Sequence, residues 1–420
     1  MEIIGKGKDA LGAVWVARKI PDGYVSGHAN QARITTFPQD APDECVFASD
    51  VVTFAQEKGY YPADAAAADF SFSDVYDPVT FEGARFCEAR VWSFFGNVTS
   101  QAWAAQYEDY ASGYNLTNRM PLWVSPAAKL SVGDVQRHMR NHFEGTSLTM
   151  AEDVGAEGYG SPYRSHPLTW SAASEEYAGK VYLNERPIGT QQTGWNFVAQ
   201  CRGWMPRQFS GLLWFGVDDA ATTVRFPVYG CATTTPAGWG GQGPQDGVVP
   251  PVMTFSMDKA FHVFNLVANW AYPRWQSVYP VLLEKAHELD AGFLGTVAAT
   301  DATLQTMADA GEVDKAVAVA TAATSEMGVS LLAAWRSFFG ELFVRFRDGY
   351  DISVQEDDPE CGCSVGNDVY RGTWYDRIVD ETGDHLLDPD ASEAGKLKKQ
   401  QQNAKPKPRT KSKLLLKALL

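Results

Sequence analysis

Basic residues are outnumbered, cysteines are few and long apolar runs are missing. The chain has 36 Lys and Arg against 51 Asp and Glu, a formal net charge of −15. An acidic body repels phosphate, so no nucleic-acid partner is expected. The six cysteines (Cys45, Cys87, Cys201, Cys231, Cys361 and Cys363) are too sparse for a disulfide framework in 420 residues, and none forms a CxxC pair. Cys361-Gly-Cys363 leaves two readings open, a metal-binding pair and a short bridge, but two ligands alone do not make a zinc site. No apolar run reaches the ~18 residues of a membrane span, so none is expected. The opening MEIIGKGKDALGAVW lacks a basic stretch followed by an apolar one. No signal peptide is therefore expected, and the compartment stays open. Phosphate loop, GxSxG elbow and dinucleotide fingerprint are all absent from the sequence.

What is present is ordinary globular material. The chain is 45% hydrophobic, enough for a large core in one big domain or two to three smaller ones. Aromatics are plentiful, with 13 Trp, 17 Tyr and 22 Phe. They suit a rich core, or a cleft that grips peptides or sugars by stacking. From Ala391 onward there are nine Lys or Arg and one acid, Glu393, so the rest of the chain is more acidic still.

Alternation and turn signals divide the chain coarsely. Residues 11–36 read as two strands around the PDG turn at 21–23. Residues 48–59 read as a helix stopped by Gly59, and residues 82–111 as two helices around Gly96. Residues 131–143 read as a helix with Ser131 as N-cap and Asp134 three later. Residues 145–178 look irregular, and 180–231 return to strands with a hairpin turning at Asp218-Asp219-Ala220. Residues 257–346 show the apolar recurrence of packed helices. CGCSVGNDVY reads as loop, and the Lys-rich, Pro-containing tail as disordered.

Four constellations carry chemistry. In VSGHANQARI, strand alternation puts Ser26, His28 and Asn30 on one face, with Gln31 and Arg33 opposite. An Asn there is either a hydrogen-bonded core residue or an oxyanion donor. In FEGARFCEARVWSFF, helical spacing sets Arg90 amid Phe86, Cys87, Val91 and Phe94. A guanidinium in an apolar stripe needs a buried carboxylate, or else serves a substrate or nucleophile. His138 and His142 are four apart, as in zinc hydrolases, but Met139 stands where the metallopeptidase Glu belongs, so surface histidines fit better. Asp218 and Asp219 are sequence neighbours, a poor geometry for glycoside chemistry and a good one for a turn.

Six motifs then occur in order: GAVWVARKIPDGYVSGHANQARI, FCEARVWSFF, HFEGT, GSPYR, RPIGTQQTGWNFVAQ and GLLWFGVDD. Together they strongly resemble the cysteine dipeptidases of the dipeptidase-A type, relatives of the secernins, from Met1 to roughly Pro280. The resemblance implies an N-terminal-nucleophile hydrolase, an α+β protein with an αββα sandwich, acting on dipeptides. It implies a cysteine at the mature N-terminus whose own α-amino group is the base, with no metal and no cofactor. It makes Asn30 the oxyanion donor and Arg90 the cation beside nucleophile or substrate, with His28, Gln192 and Thr193 lining the cleft.

The family pattern also differs from this chain. The segment resembling MEIIGKGK lies well inside family members, and Cys45 does not match their nucleophile. The sandwich is therefore expected to be incomplete at its N-terminus, the isolated chain to be poorly soluble and to cleave no dipeptide, and a non-catalytic binding or scaffold role is the alternative. The expected divisions are 1–256 for the hydrolase part, 257–350 for a helical region of the same domain, and 351–420 for loop and tail. Expected partners are dipeptides, with a homo-oligomer also compatible.

Overall fold

The computed structural model describes residues 12–163, 171–173, 178–240 and 254–388. The basic tail, and with it the expectation of disorder there, lies outside them.

The PDG turn forms, with the Tyr24 amide donating to the Pro21 carbonyl and Gly23 at φ 82°. Its flanking strands, however, do not pair with each other. β1 (Val16–Arg18) pairs with β3 (Cys45–Phe47), and β2 (Val25–Ser26) with β4 (Trp123–Val124). Strand structure ends at Ser26, so the alternation read through His28 and Asn30 does not hold. Asn30 has φ 57° and is exposed, whereas Gln31 and Arg33 are the buried pair. The helix expected over 48–59 is short, α1 (Thr53–Glu57), and Gly59 at φ 73° follows it.

Helix α2 (Phe72–Tyr76) is followed by α3 (Phe81–Gly83), capped by Thr80. This runs through a π-helical turn (Ala84–Glu88) into α4 (Ala89–Val98). Gly96 is not the break. It lies inside α4, where an added Cβ would stand 2.9 Å from that of Ala104. The chain turns instead at Thr99, and Ser100 caps α5 (Gln101–Gln106), with α6 (Glu108–Ala111) after it. Ser131 and Asp134 form the expected capping box on α7 (Val132–His138). The helix ends at His138, so His142 is not on it and, contrary to a surface histidine, is 1% exposed.

Beyond the short pair β5 (Ser171–Ala173) and β6 (Val181–Leu183) comes the main sheet. In it β7 (Trp195–Cys201), β8 (Gly211–Val217) and β9 (Phe226–Tyr229) form an antiparallel meander. One face packs on α8 (Ala260–Ala271), α9 (Trp275–Asp309) and α10 (Val313–Phe346). On α10 the buried residues recur every three or four positions through Met327, Leu331, Trp335, Phe338 and Leu342, as the sequence pattern requires. By length and composition the stretch Val313–Gly349 is apolar enough to cross a membrane, although the sequence reading expects no span. Where a loop is expected at CGCSVGNDVY, β11 (Cys363–Asn367) pairs with β10 (Tyr350–Val354), and a Cys361–Cys363 disulfide sits at its start. Helix α11 (Trp374–Thr382) follows. The described residues are thus α+β, with five small antiparallel sheets.

The segment 27–33 is held from below. Arg33 donates through Nε to Glu88 (3.1 Å) and through its terminal nitrogens to the carbonyls of Gly27, Pro121 and Leu122. Tyr110 donates its hydroxyl to the same Glu88 oxygen (3.0 Å). All three side chains are buried. Removing one member of such a group strands a charge. Glu88→Ala is expected to destabilise the fold by about 3–5 kcal/mol in urea unfolding. Arg336→Ala, which breaks the exposed pair with Asp258, is expected to cost less than about 1 kcal/mol. Equal losses would refute the central place given to Arg33.

Candidate functional site

The loop that follows β2 is shaped by its neighbours. Gln31 donates to the Asp77 carbonyl (2.6 Å), and the Asp77 carboxylate accepts from the Ala32 amide (2.6 Å). Gln31 approaches so closely that a Cβ on Gly83 would lie 2.3 Å from its side-chain oxygen. With Gln31 and Arg33 turned inward, Asn30 is carried outward in a left-handed conformation that Asn tolerates better than most residues.

Arg90 meets it from α4. Its Nη2 donates to Asn30 Oδ1 at 2.9 Å and reaches the Ala29 carbonyl at 3.5 Å, while Nε donates to the Phe86 carbonyl at 2.7 Å. Of the two readings open for Arg90, the buried carboxylate is not what it finds; that arrangement belongs to Arg33 and Glu88. A guanidinium only donates, so the Asn30 atom facing it is the oxygen. The NH2 end of the amide is therefore left to face outward as a donor. The π-helical turn just before α4 adds the kind of irregularity that is frequent at functional sites.

Arg90 lines a cavity of about 220 Å³ together with Gly27, His28, Phe94, His138 and Ile188. Gly27 lets the loop approach α4, since a Cβ there would stand 3.0 Å from Val91. Burial, aided by Arg137, pulls the His138 imidazole below its ordinary value and favours its neutral form. His138 packs edge-on to Phe94 at 5.5 Å. Cys87 lies beside Arg90, but burial pushes its thiol up despite Arg90 and Arg186. Burial likewise raises Cys45 and Cys231, so none of these three is a ready thiolate.

Of the residues named from sequence, the structure brings His28, Asn30 and Arg90 together. Gln192 and Thr193 are not among the residues that line the Arg90 cavity. Gln192 is exposed, and Thr193 faces Thr190 (Oγ1 to Oγ1 3.3 Å). It is Ile188 of the same motif that reaches the Arg90 cavity. Among the described residues no three His, Cys, Asp or Glu side chains group as metal ligands.

A second polar cluster was not legible. His142 joins Glu144 through Nδ1 (3.0 Å) and the Tyr163 hydroxyl through Nε2 (3.0 Å). Tyr163 donates to Asp219, whose same oxygen accepts from Tyr272 (3.1 Å). Asp218 and Asp219 do lie in the β8–β9 connection, as expected, but both are buried. Only their carboxylates hinted at this, since an exposed turn and a buried one look alike in sequence.

Comparisons with known proteins agree on one family. The sequence pattern of Peptidase family C69 matches residues 1–287. A "Probable dipeptidase" of Salmonella dublin is 24% identical over 218 residues, covering 52% of this chain and 42% of that protein. "Dipeptidase A" of Lactobacillus helveticus is 21% identical over 226 residues, covering 54% and 40%. The matched part of the chain thus spans about two-fifths of the length of these curated relatives.

Burial pushes the Asp218 carboxyl up from 3.8 to about 7, against the hydrogen bond donated by Asn265. Between those values the folded state keeps a proton that the unfolded state has lost. The contribution is complete below about pH 4 and is lost as pH rises through 7. Asp218→Asn is expected to raise the melting temperature at pH 8 and to leave it nearly unchanged at pH 4. A shift of the same size at both would refute this assignment.

Proposed function

Because the chain belongs to peptidase family C69, we propose that it acts in dipeptide hydrolysis, with Asn30 as the donor to the scissile carbonyl oxygen. The observation that carries this is the Arg90–Asn30 hydrogen bond at 2.9 Å, which fixes the amide with its N–H groups outward. In this reading a cysteine thiolate attacks the peptide carbonyl and forms a carbon–sulfur bond. The carbonyl electrons move onto oxygen, where the Asn30 N–H stabilises them. Collapse breaks the C–N bond, the departing amine takes a proton from the ammonium that received it from the thiol, and water then releases the acyl group. Arg90 acts through Asn30 as a positioning residue.

The nucleophile is assigned, following the resemblance, to an N-terminal cysteine that is not one of the six in this sequence. The raised thiols of Cys45, Cys87 and Cys231, and the bridge between Cys361 and Cys363, make these five poor candidates for it. A sandwich of two sheets is supported by the β7 part of one face of the main sheet, which no described residue covers fully. There Trp195 and Phe197 stack at 5.7 Å while 61% and 42% exposed, an apolar face suited to a second layer. His28 on the cavity wall, and Gln192 and Thr193 outside its lining, remain proposed substrate contacts.

The test is hydrolysis of alanyl-leucine by the mature protein purified from its source. Asn30→Ala is expected to lower kcat by about 100- to 1,000-fold, the usual loss for one oxyanion donor. Arg90→Lys, which keeps the charge and loses the fork, is expected to lower kcat with a smaller effect on KM. Unchanged kcat in Asn30→Ala would overturn the role of Asn30.

A further inference from the structure

A second cavity, of about 230 Å³, adjoins the first, and Gly27 and His28 line both. Three arginines stand around it and its polar extension, and two are committed. Arg33 is bonded to Glu88 and three carbonyls. Arg119 is bonded to Asp74, Ser73 and the Ala32 carbonyl. Arg18 differs. Its guanidinium lies over the Trp123 ring at 5.0 Å, and its Nε is shut off from water with no hydrogen-bond partner. Among the described residues it has no carboxylate partner. Arg18 lines the cavity, and its terminal nitrogens make no hydrogen bond to the described residues, so they can take an anion there. Beside Ser26, His28 and Arg33, the cavity wall carries the apolar side chains of Val16, Ile20, Ile34, Phe72 and Leu122.

We propose that Arg18 binds the C-terminal carboxylate of a peptide substrate, with the apolar walls taking the side chain of that last residue. This rests on the dipeptide reading above and deepens it. Arg90 already donates to Asn30 and the Phe86 carbonyl, and on the wall of the second cavity Arg18 is the cation that no described carboxylate holds. The planar fork suits a carboxylate held by two parallel hydrogen bonds, and the Trp123 face keeps that fork in plane. A dipeptide ending in Leu or Phe is therefore preferred to one ending in Asp, Glu or a C-terminal amide.

The test compares alanyl-leucine with alanyl-leucinamide on the full chain, by calorimetry, or by KM in mature protein that turns the peptide over. The free acid is expected to bind at least 10-fold more tightly than the amide. Arg18→Gln is expected to abolish that preference by weakening only the acid, and Arg18→Lys to restore part of it. Thermal melting checks that each variant folds; should Arg18→Gln fail to fold, the acid-to-amide ratio in the unmodified protein and in Arg18→Lys decides. A preference that Arg18→Gln leaves intact would overturn the assignment and spare the peptide reading. Binding of neither ligand would overturn the peptide reading, and the role of Arg18 with it.

Discussion

Arg33 is the constraint on which the site is built. A guanidinium inside a protein is tolerated only when its donors meet acceptors, and Arg33 meets them on three separate pieces of chain. Glu88 comes from the π-helical turn, Pro121 and Leu122 precede β4, and Gly27 follows β2. One side chain thus fastens the loop, the helix and the strand pair whose surfaces make the two cavities. Tyr110 completes the group by sharing the Glu88 oxygen, and burial, with the Glu88 charge beside it, pushes its phenol up. Asn30 and Arg90 meet because this group lies beneath them.

A comparable arrangement ties the sheet to the helices. Tyr163 and Tyr272 converge on Asp219, His142 approaches Tyr163 from the other side, and Trp275 packs edge-on against both His142 and Tyr163. Low dielectric makes such a network strong when every member is satisfied. It links the motif HFEGT to the β8–β9 connection, more than seventy residues later in the chain. The two motifs are therefore parts of one support, and Gly189 of a third motif packs so near His142 that a Cβ would stand 3.0 Å away.

Elements governed by local chemistry were legible in the sequence. The Ser131 capping box, the PDG turn and the apolar spacing of α9 and α10 each depend on residues close together in the chain. Strand partners were not legible, because pairing β1 with β3 rather than β2 is decided by contacts made elsewhere. The π-helical turn and the left-handed Asn30 were missed for a related reason. Both are conformations forced by packing, with Gln31 wedged against Gly83, and neither has a periodicity of its own. The pairing of Asn30 with Arg90 could be guessed only from family likeness, since sixty residues separate them. The order of Arg18 and Arg33 in importance was invisible for the same reason. Both are arginines near a turn, and only the fold gives one a carboxylate and leaves the other without.

The left-handed backbone at Asn30 narrows the residue alphabet at that position twice over. Geometry alone favours Gly, Asn and Asp, the types that enter φ near +57° at little cost. Chemistry then selects within those three. Gly offers Arg90 nothing to hold, and Asp offers an oxygen to Arg90 but no hydrogen to the side facing outward. Only Asn supplies an acceptor on one side and a donor on the other. Two unrelated demands, one steric and one set by the proposed role, thus converge on a single side chain.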